Sequence, residues 1–356
     1  MLPPNFFKTT KSWAFPEKIT KHGLEITKDG RLLVVDPKFL QDFKGIITDI
    51  IIEISKVFFT GAKMITFQLP LRIFEPISSM ERICDTTIAY PEWIEKANKT
   101  TDPAERVKYV LCGMMNSITC NTSQRKPYHP LLGETFSMTF KDGTTIYTEH
   151  TSYDPPVTNF LMIKKGCFRF WGRFEHSVDV KANGIEINYI GPINIEFQDK
   201  TVLQIIWPIF CCHGMNVGET YSTWEGRGGI TYSAHKIKAR IDMGKCIKEN
   251  NPSKKYTYKE NKERKDVFSG VIYNYNPEKS KKMSSDYKNA KECFENKDEV
   301  KVLSTFIGSV FETLEFDGKD YVDMRTSIPQ NVYYDENALP SDCRFREDMI
   351  WHLYED

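Results

Sequence analysis

From Phe168 to Ile241 the chain is divided into short runs rich in aromatic and β-branched residues: Phe168–Phe174, Ile185–Tyr189, Ile193–Phe197, Thr201–Ile206, Tyr221–Trp224 and Ile230–Ile241. Gly, Pro, Asn or Asp stands between them at intervals of about ten residues. This pattern predicts antiparallel strands closing as a sandwich or barrel, not an alternating β/α sheet. Val267–Tyr275 and Val302–Phe316 offer further strands. Upstream, Asp142-Gly143 separates Phe136–Phe140 from Thr145–Glu149, a strong short-range hairpin signal.

Two proline-punctuated loops flank that hairpin. The first reads K-P-Y-H-P-L-L-G-E-T-F at 126–136, the second E-H-T-S-Y-D-P-P-V-T-N-F at 149–160. They place Lys126, Tyr128, His129, Glu134, His150, Tyr153 and Asp154 together, a set polar enough to line the mouth of a site. Pro130, Pro155 and Pro156 stiffen it by fixing φ.

The N-terminal part carries the helices. Gly45–Lys63 repeats large apolar residues every three or four positions: Ile46, Ile47, Ile50, Ile51, Ile54, Val57 and Phe58. Such a face packs into a core. Pro103–Cys120 reads as a longer helix, capped by Asp102 with Pro103 in its first turn. A short hairpin is expected at Lys28-Asp29-Gly30, helices at Ile77–Thr86, Pro91–Ala97 and Asp286–Lys297, and an exposed lysine-rich loop at Asn250–Asp266.

Forty-eight basic and 48 acidic residues cancel, so global charge does not argue for nucleic acid. The nine cysteines form no C-x-x-C pair and read as reduced thiols of a cytosolic protein. Met1–Thr10 lacks the features of a secretory signal, and no apolar run is long enough to span a bilayer. The chain has no G-x-S-x-G, no H-E-x-x-H, no phosphate-cradling loop and no G-x-G-x-x-G after a strand, so no enzyme is expected. Cys211-Cys212-His213 looks like a metal cluster, but adjacent strand residues face opposite ways, so one ion cannot readily take all three. No metal or cofactor is expected.

The two loops resemble a family signature. K-P-x-N-P-x-L-G-E-x-F, followed after a strand pair by E-Q-V-S-H-H-P-P-x-(S/T)-A-F, marks the oxysterol-binding-protein-related lipid-transfer domain. Lys126, Pro127, Pro130, Leu132, Gly133, Glu134 and Phe136 match the first half; Glu149, Ser152, Pro155, Pro156, Thr158 and Phe160 match the second. Weaker matches follow in order. They are Phe67–Pro76, Arg106 after Asp102-Pro103, Phe168–Gly172, Gly226–Ile241 and Ala338–Asp348. The family's asparagine is His129 here, and its paired histidines are Tyr153 and Asp154.

The resemblance implies an all-β-dominated (α+β) fold: a large antiparallel β-barrel around a lipid tunnel, with N-terminal helices and a small C-terminal subdomain. Residues 1–66 are expected as the lid segment, with Ile47, Ile50, Ile51, Ile54 and Phe58 facing the tunnel, and 67–356 as the lipid-binding domain. The implied function is transfer of one lipid between membranes by a cytoplasmic monomer touching organelle membranes peripherally. A sterol or phospholipid exposes several hundred Å² of apolar surface, worth on the order of 10 kcal/mol at about 25 cal/mol per Å², which is why transit needs a closed tunnel. In relatives the first-motif lysine and the paired histidines contact the phosphates of phosphatidylinositol 4-phosphate. Here Lys126 remains, and a carboxylate at 154 within about 4 Å of a phosphate costs several kcal/mol per charge pair. Weakened phosphoinositide binding and a sterol or phospholipid cargo are therefore expected. His129 and His150 could offset the loss. The family's closing helix, with its Lys and Arg, is absent or truncated before Asp356. The alternative is a lipid-occupied sensor or scaffold, docking a partner through Lys236–Lys282, where 14 Lys/Arg face 6 Asp/Glu.

Overall fold

The computed structural model describes residues 23–52, 70–120, 125–244, 264–280, 293–294, 298–326, 332–334 and 338–346. The alternating runs form antiparallel ladders. From Val332–Tyr334 the sheet proceeds through Thr135–Phe140, Thr145–Tyr153 and Pro156–Lys164 to Phe168–Lys181. The hairpin turn lies at Asp142-Gly143, where Gly143 takes φ +81° and its N–H donates to the Phe140 carbonyl at 2.9 Å.

Phe168–Lys181, 14 residues long, serves two neighbours. Its first half pairs with Ile193–Glu196 and its second with Gly184–Tyr189. The first path continues through Val202–Ile206, the second through Ile209–His213, and both end on one strand, Tyr221–Tyr232. The pairings close into a ring, which removes free edges from that part of the sheet. Beyond Tyr221–Tyr232 the same sheet runs on through Ile237–Met243, Val267–Tyr275, Glu299–Ser309, Thr313–Phe316 and Lys319–Asp323. The early hairpin, Leu24–Ile26 with Leu32–Val34, joins Tyr221–Tyr232 at its other flank.

Two differences from the sequence pattern have physical causes. Val302–Phe316 is a hairpin rather than one strand, turning between Ser309 and Thr313. Tyr221–Tyr232 is continuous where Gly226-Arg227-Gly228-Gly229 reads as a loop, and the break falls instead at the 3₁₀ turn Ser233–His235. At Gly229 a Cβ would lie 2.3 Å from the Phe294 ring, so the glycine admits that ring against the strand.

Inward-facing side chains build a continuous apolar core. Aromatic rings form much of it: Tyr90 to Phe170 at 4.7 Å, Phe170 to Phe160 at 5.0 Å, Trp207 to Trp224 at 5.8 Å and Trp224 to Phe210 at 5.2 Å between centroids. The helices Ser79–Thr87, Tyr90–Lys99 and Pro103–Cys120 pack against it. Ser78 and Glu81 cap the first reciprocally, and Asp102 accepts from the Ala104 N–H at the start of the third. Residues 46–52 are helical, with Ile46, Ile47 and Ile50 buried and Ile51 and Ile52 exposed. Ile54 and Phe58, and most of the expected Asn250–Asp266 loop and Asp286–Lys297 helix, lie outside the described residues. Cys84, Cys112, Cys167, Cys211, Cys212, Cys293 and Cys343 are free thiols. Among the described residues no helix is long and apolar enough to cross a membrane.

Candidate lipid headgroup site

Phe74–Ser78 pairs in parallel with Lys126–Tyr128, which lays the first loop beside the start of the helical layer. The Lys126 ammonium sits 4.6 Å above the Phe74 ring and donates to the Pro127 carbonyl at 3.3 Å. Burial pushes its pKa down to about 8. The loop then turns at Leu131–Glu134, where Gly133 adopts φ +82° and donates its N–H to the His150 carbonyl at 2.9 Å. The His150 N–H in turn donates to the Glu134 carbonyl at 3.0 Å, so the two loops are laced together.

That lacing brings His129, His150 and Tyr153 face to edge. The ring centroids of His129 and His150 are 5.1 Å apart, and Tyr153 lies 5.9 Å from the first and 5.3 Å from the second. His150 is buried. Its Nδ1 is 3.0 Å from the Thr158 hydroxyl, while its Nε2 has no hydrogen-bond partner among the described residues. Burial lowers the pKa of His150, and burial together with the positive fields of Lys126, His150, Arg346 and His176 takes His129 down to about 4. Both rings are therefore neutral at physiological pH, and Lys126 carries the charge.

Glu134 is not a free acid of the mouth. It accepts from the Leu131 N–H at 2.9 Å and pairs with Arg346 at 3.5 Å. Tyr153 accepts a hydrogen bond from the Leu132 N–H at 3.1 Å, and Tyr128 packs on Phe74 at 5.0 Å. Asp154 stands at the exposed tip of the turn that pairs Tyr153 with Pro156, and with the described residues it makes no hydrogen bond or ion pair. Of the seven residues expected here, Lys126, His129, His150 and Tyr153 converge, while Glu134 and Tyr128 support them from behind.

Arg346 joins the cluster without having been selected from the sequence. Arg346 donates to the His129 carbonyl at 2.6 Å and covers the Tyr128 ring at 5.7 Å. Its strand of chain is held in place by the Thr135 N–H donating to the Ser341 carbonyl at 2.9 Å and by Asp342, which caps Arg344. The available signal was that Arg346 falls inside a matched motif. A separate cavity of about 20 Å³, between Leu32, Ile118, Phe210, Trp224 and Met243, has room for about one water rather than a lipid.

The family model "Oxysterol-binding protein" matches residues 53–355. Oxysterol-binding protein 9 of Dictyostelium discoideum is 27% identical over 326 residues, covering 90% of this chain and 72% of that protein. Human Oxysterol-binding protein-related protein 6 is 28% identical over 139 residues, 38% of this chain and 15% of that protein. In structure the chain is similar to the Osh3 ORD of Saccharomyces cerevisiae in complex with PI(4)P, with TM-score 0.57, 19% identity, and 83% of this chain and 76% of that chain covered. It is also similar to the Osh1 ORD domain in complex with ergosterol, with TM-score 0.54, 18% identity, and 74% and 55% covered. With the fold, the two loops and the family match in agreement, the chain belongs to the oxysterol-binding protein family.

Proposed function

We propose that this protein binds one lipid and transfers it between membranes, with the polar end of the cargo at Lys126, His129, His150 and Tyr153 and the apolar part among the strands. The observation that carries this reading is the His150 Nε2, buried without a hydrogen-bond partner among the described residues, in a ring cluster with His129 and Tyr153. Such groups are costly unless a ligand completes them. The solved structures named above hold a phosphoinositide in one case and a sterol in the other, and both chemistries suit the reading. Residues 1–66 act as a lid over 67–356, and the protein works as a cytoplasmic monomer that touches membranes peripherally.

The cargo is a sterol or phospholipid, and phosphatidylinositol 4-phosphate is held weakly. A phosphate monoester carries up to about two charges, and among the described residues of the cluster Lys126 is the cation without a carboxylate partner at neutral pH, because His129 is neutral and Arg346 is matched by Glu134. The test is to incubate the purified chain with mixed liposomes containing sterol, phosphatidylinositol 4-phosphate and common phospholipids, then identify the extracted lipid by mass spectrometry. Sterol or zwitterionic lipid near one per chain is the expected result. Stoichiometric phosphatidylinositol 4-phosphate would overturn the cargo assignment, and no lipid at all would overturn the function.

A further inference from the structure

On the outer face of the ring, three potential metal ligands meet. Residues two apart on a strand share a face. The alternation that separates Cys212 from Cys211 therefore puts Cys211 and His213 together. The register sets Cys211 against Thr223, His213 against Tyr221 and Ile209 against Glu225, so Glu225 arrives on that same face from the neighbouring strand. One donor atom from each of Cys211, His213 and Glu225 lies within 4.8 Å of the others. Phe210, Cys212 and Trp224 point the other way, into the core.

The side chains are already linked. His213 Nε2 is 3.2 Å from Glu225 Oε1 and 3.0 Å from the Thr223 hydroxyl, which donates to the same carboxylate at 2.8 Å. On the third strand Glu186 stands directly across from Cys211, with its carboxylate 3.1 Å from Lys181. Sulfur, imidazole and carboxylate donors together favour a borderline-soft divalent ion over calcium or magnesium.

We propose that Cys211, His213 and Glu225 bind a zinc ion, with water or Glu186 in the fourth position. Tetrahedral donors around zinc stand about 3.5 Å apart, so His213 and Glu225, 3.2 Å apart, already have the spacing, and the Cys211 sulfur closes on them by up to about 1 Å as Thr223 gives up its place on Glu225. Cys211 binds as the thiolate and its proton leaves to solvent. His213 binds through Nε2, with its single hydrogen on Nδ1. The site is independent of the lipid mouth and uses none of its residues.

The experiment is a titration of the reduced, metal-free full chain with Zn²⁺, and with Co²⁺ as a spectroscopic probe. One ion per chain is expected, with a near-ultraviolet thiolate-to-cobalt band. Cys211→Ala should remove that band and weaken zinc by more than about tenfold. Glu225→Gln, at a half-exposed position that leaves packing intact, should weaken zinc by about tenfold and keep the band. If Cys211→Ala fails to fold, the glutamine variant still decides. No stoichiometric binding by the parent, no thiolate band, or parental affinity in the glutamine variant would each overturn the proposal.

Discussion

Lys126 is the residue on which stability and ligand capture pull in opposite directions. Its pKa is about 8 in the fold because burial disfavours the ammonium, against an unfolded value near 10.4. The unfolded chain therefore binds more protons between pH 8 and about 10.4, and stability rises with pH across that window. Below pH 8 the fold bears the whole desolvation cost. Lys126→Met is thus expected to raise the melting temperature by a few degrees at pH 7 while lowering capture of anionic lipid at least tenfold. Thermal denaturation and liposome extraction read the two effects, and a variant that loses both stability and capture would show that Lys126 is structural. His129 gives the acid limb. Held at about 4 by burial and neighbouring charge, it contributes stability that is present above about pH 6.5 and lost as pH falls toward 4. A bound anion favours the protonated ring. Capture of anionic lipid should therefore grow between pH 7 and 5 in the parent, and should stay flat in His129→Gln.

At the scale of elements, Arg106 ties the long helix Pro103–Cys120 to the sheet. Arg106 donates to the Ala97 and Thr100 carbonyls at 3.1 Å, to Asp199 at 2.6 Å and to the Tyr232 hydroxyl at 2.7 Å, and covers the Phe197 ring at 4.7 Å. Arg106→Ala removes a buried guanidinium and the hydrogen bonds it gives the Ala97 and Thr100 carbonyls, while half-exposed Asp199 and the Tyr232 hydroxyl keep Thr201, and a loss of about 2 to 4 kcal/mol in urea unfolding is expected. The helix itself was legible in the sequence from Asp102-Pro103 and its apolar spacing, as the hairpin was from Asp142-Gly143. The role of Arg106 was not. Its partners Asp199 and Tyr232 lie 93 and 126 residues away, and a local pattern cannot distinguish a surface ion pair from a buried tie. The mouth divides in the same way. Lys126, His129, His150 and Tyr153 sit within one hairpin and its loops, so the sequence groups them. Arg346 reaches His129 across 217 residues. The apolar face that begins at Gly45 was legible as amphipathic, yet its pattern does not separate buried Ile47 and Ile50 from exposed Ile51.

For the molecule as a whole, the ring of pairings through Phe168–Lys181 and Tyr221–Tyr232 distributes stability unevenly. Both strands pair on two sides with more than one neighbour, whereas among the described residues Lys319–Asp323 pairs only with Thr313–Phe316. Native-state hydrogen exchange should be slowest on the two shared strands and fastest on the outer ones. Equal protection throughout would mean that the ring opens and closes as a unit with the rest of the sheet.

The contact between Arg346 and the His129 carbonyl also orders events in time. Lys126, His129 and His150 leave the ribosome early, and the strands that follow them can pair as they appear. The stretch Ala338–Arg346, which covers Tyr128, pairs with Thr135 and neutralises Glu134, is made some two hundred residues later. Until it arrives, the mouth has no lower lip. The cluster of His129, His150 and Tyr153 therefore gains its Arg346 contact only after synthesis has passed Arg346.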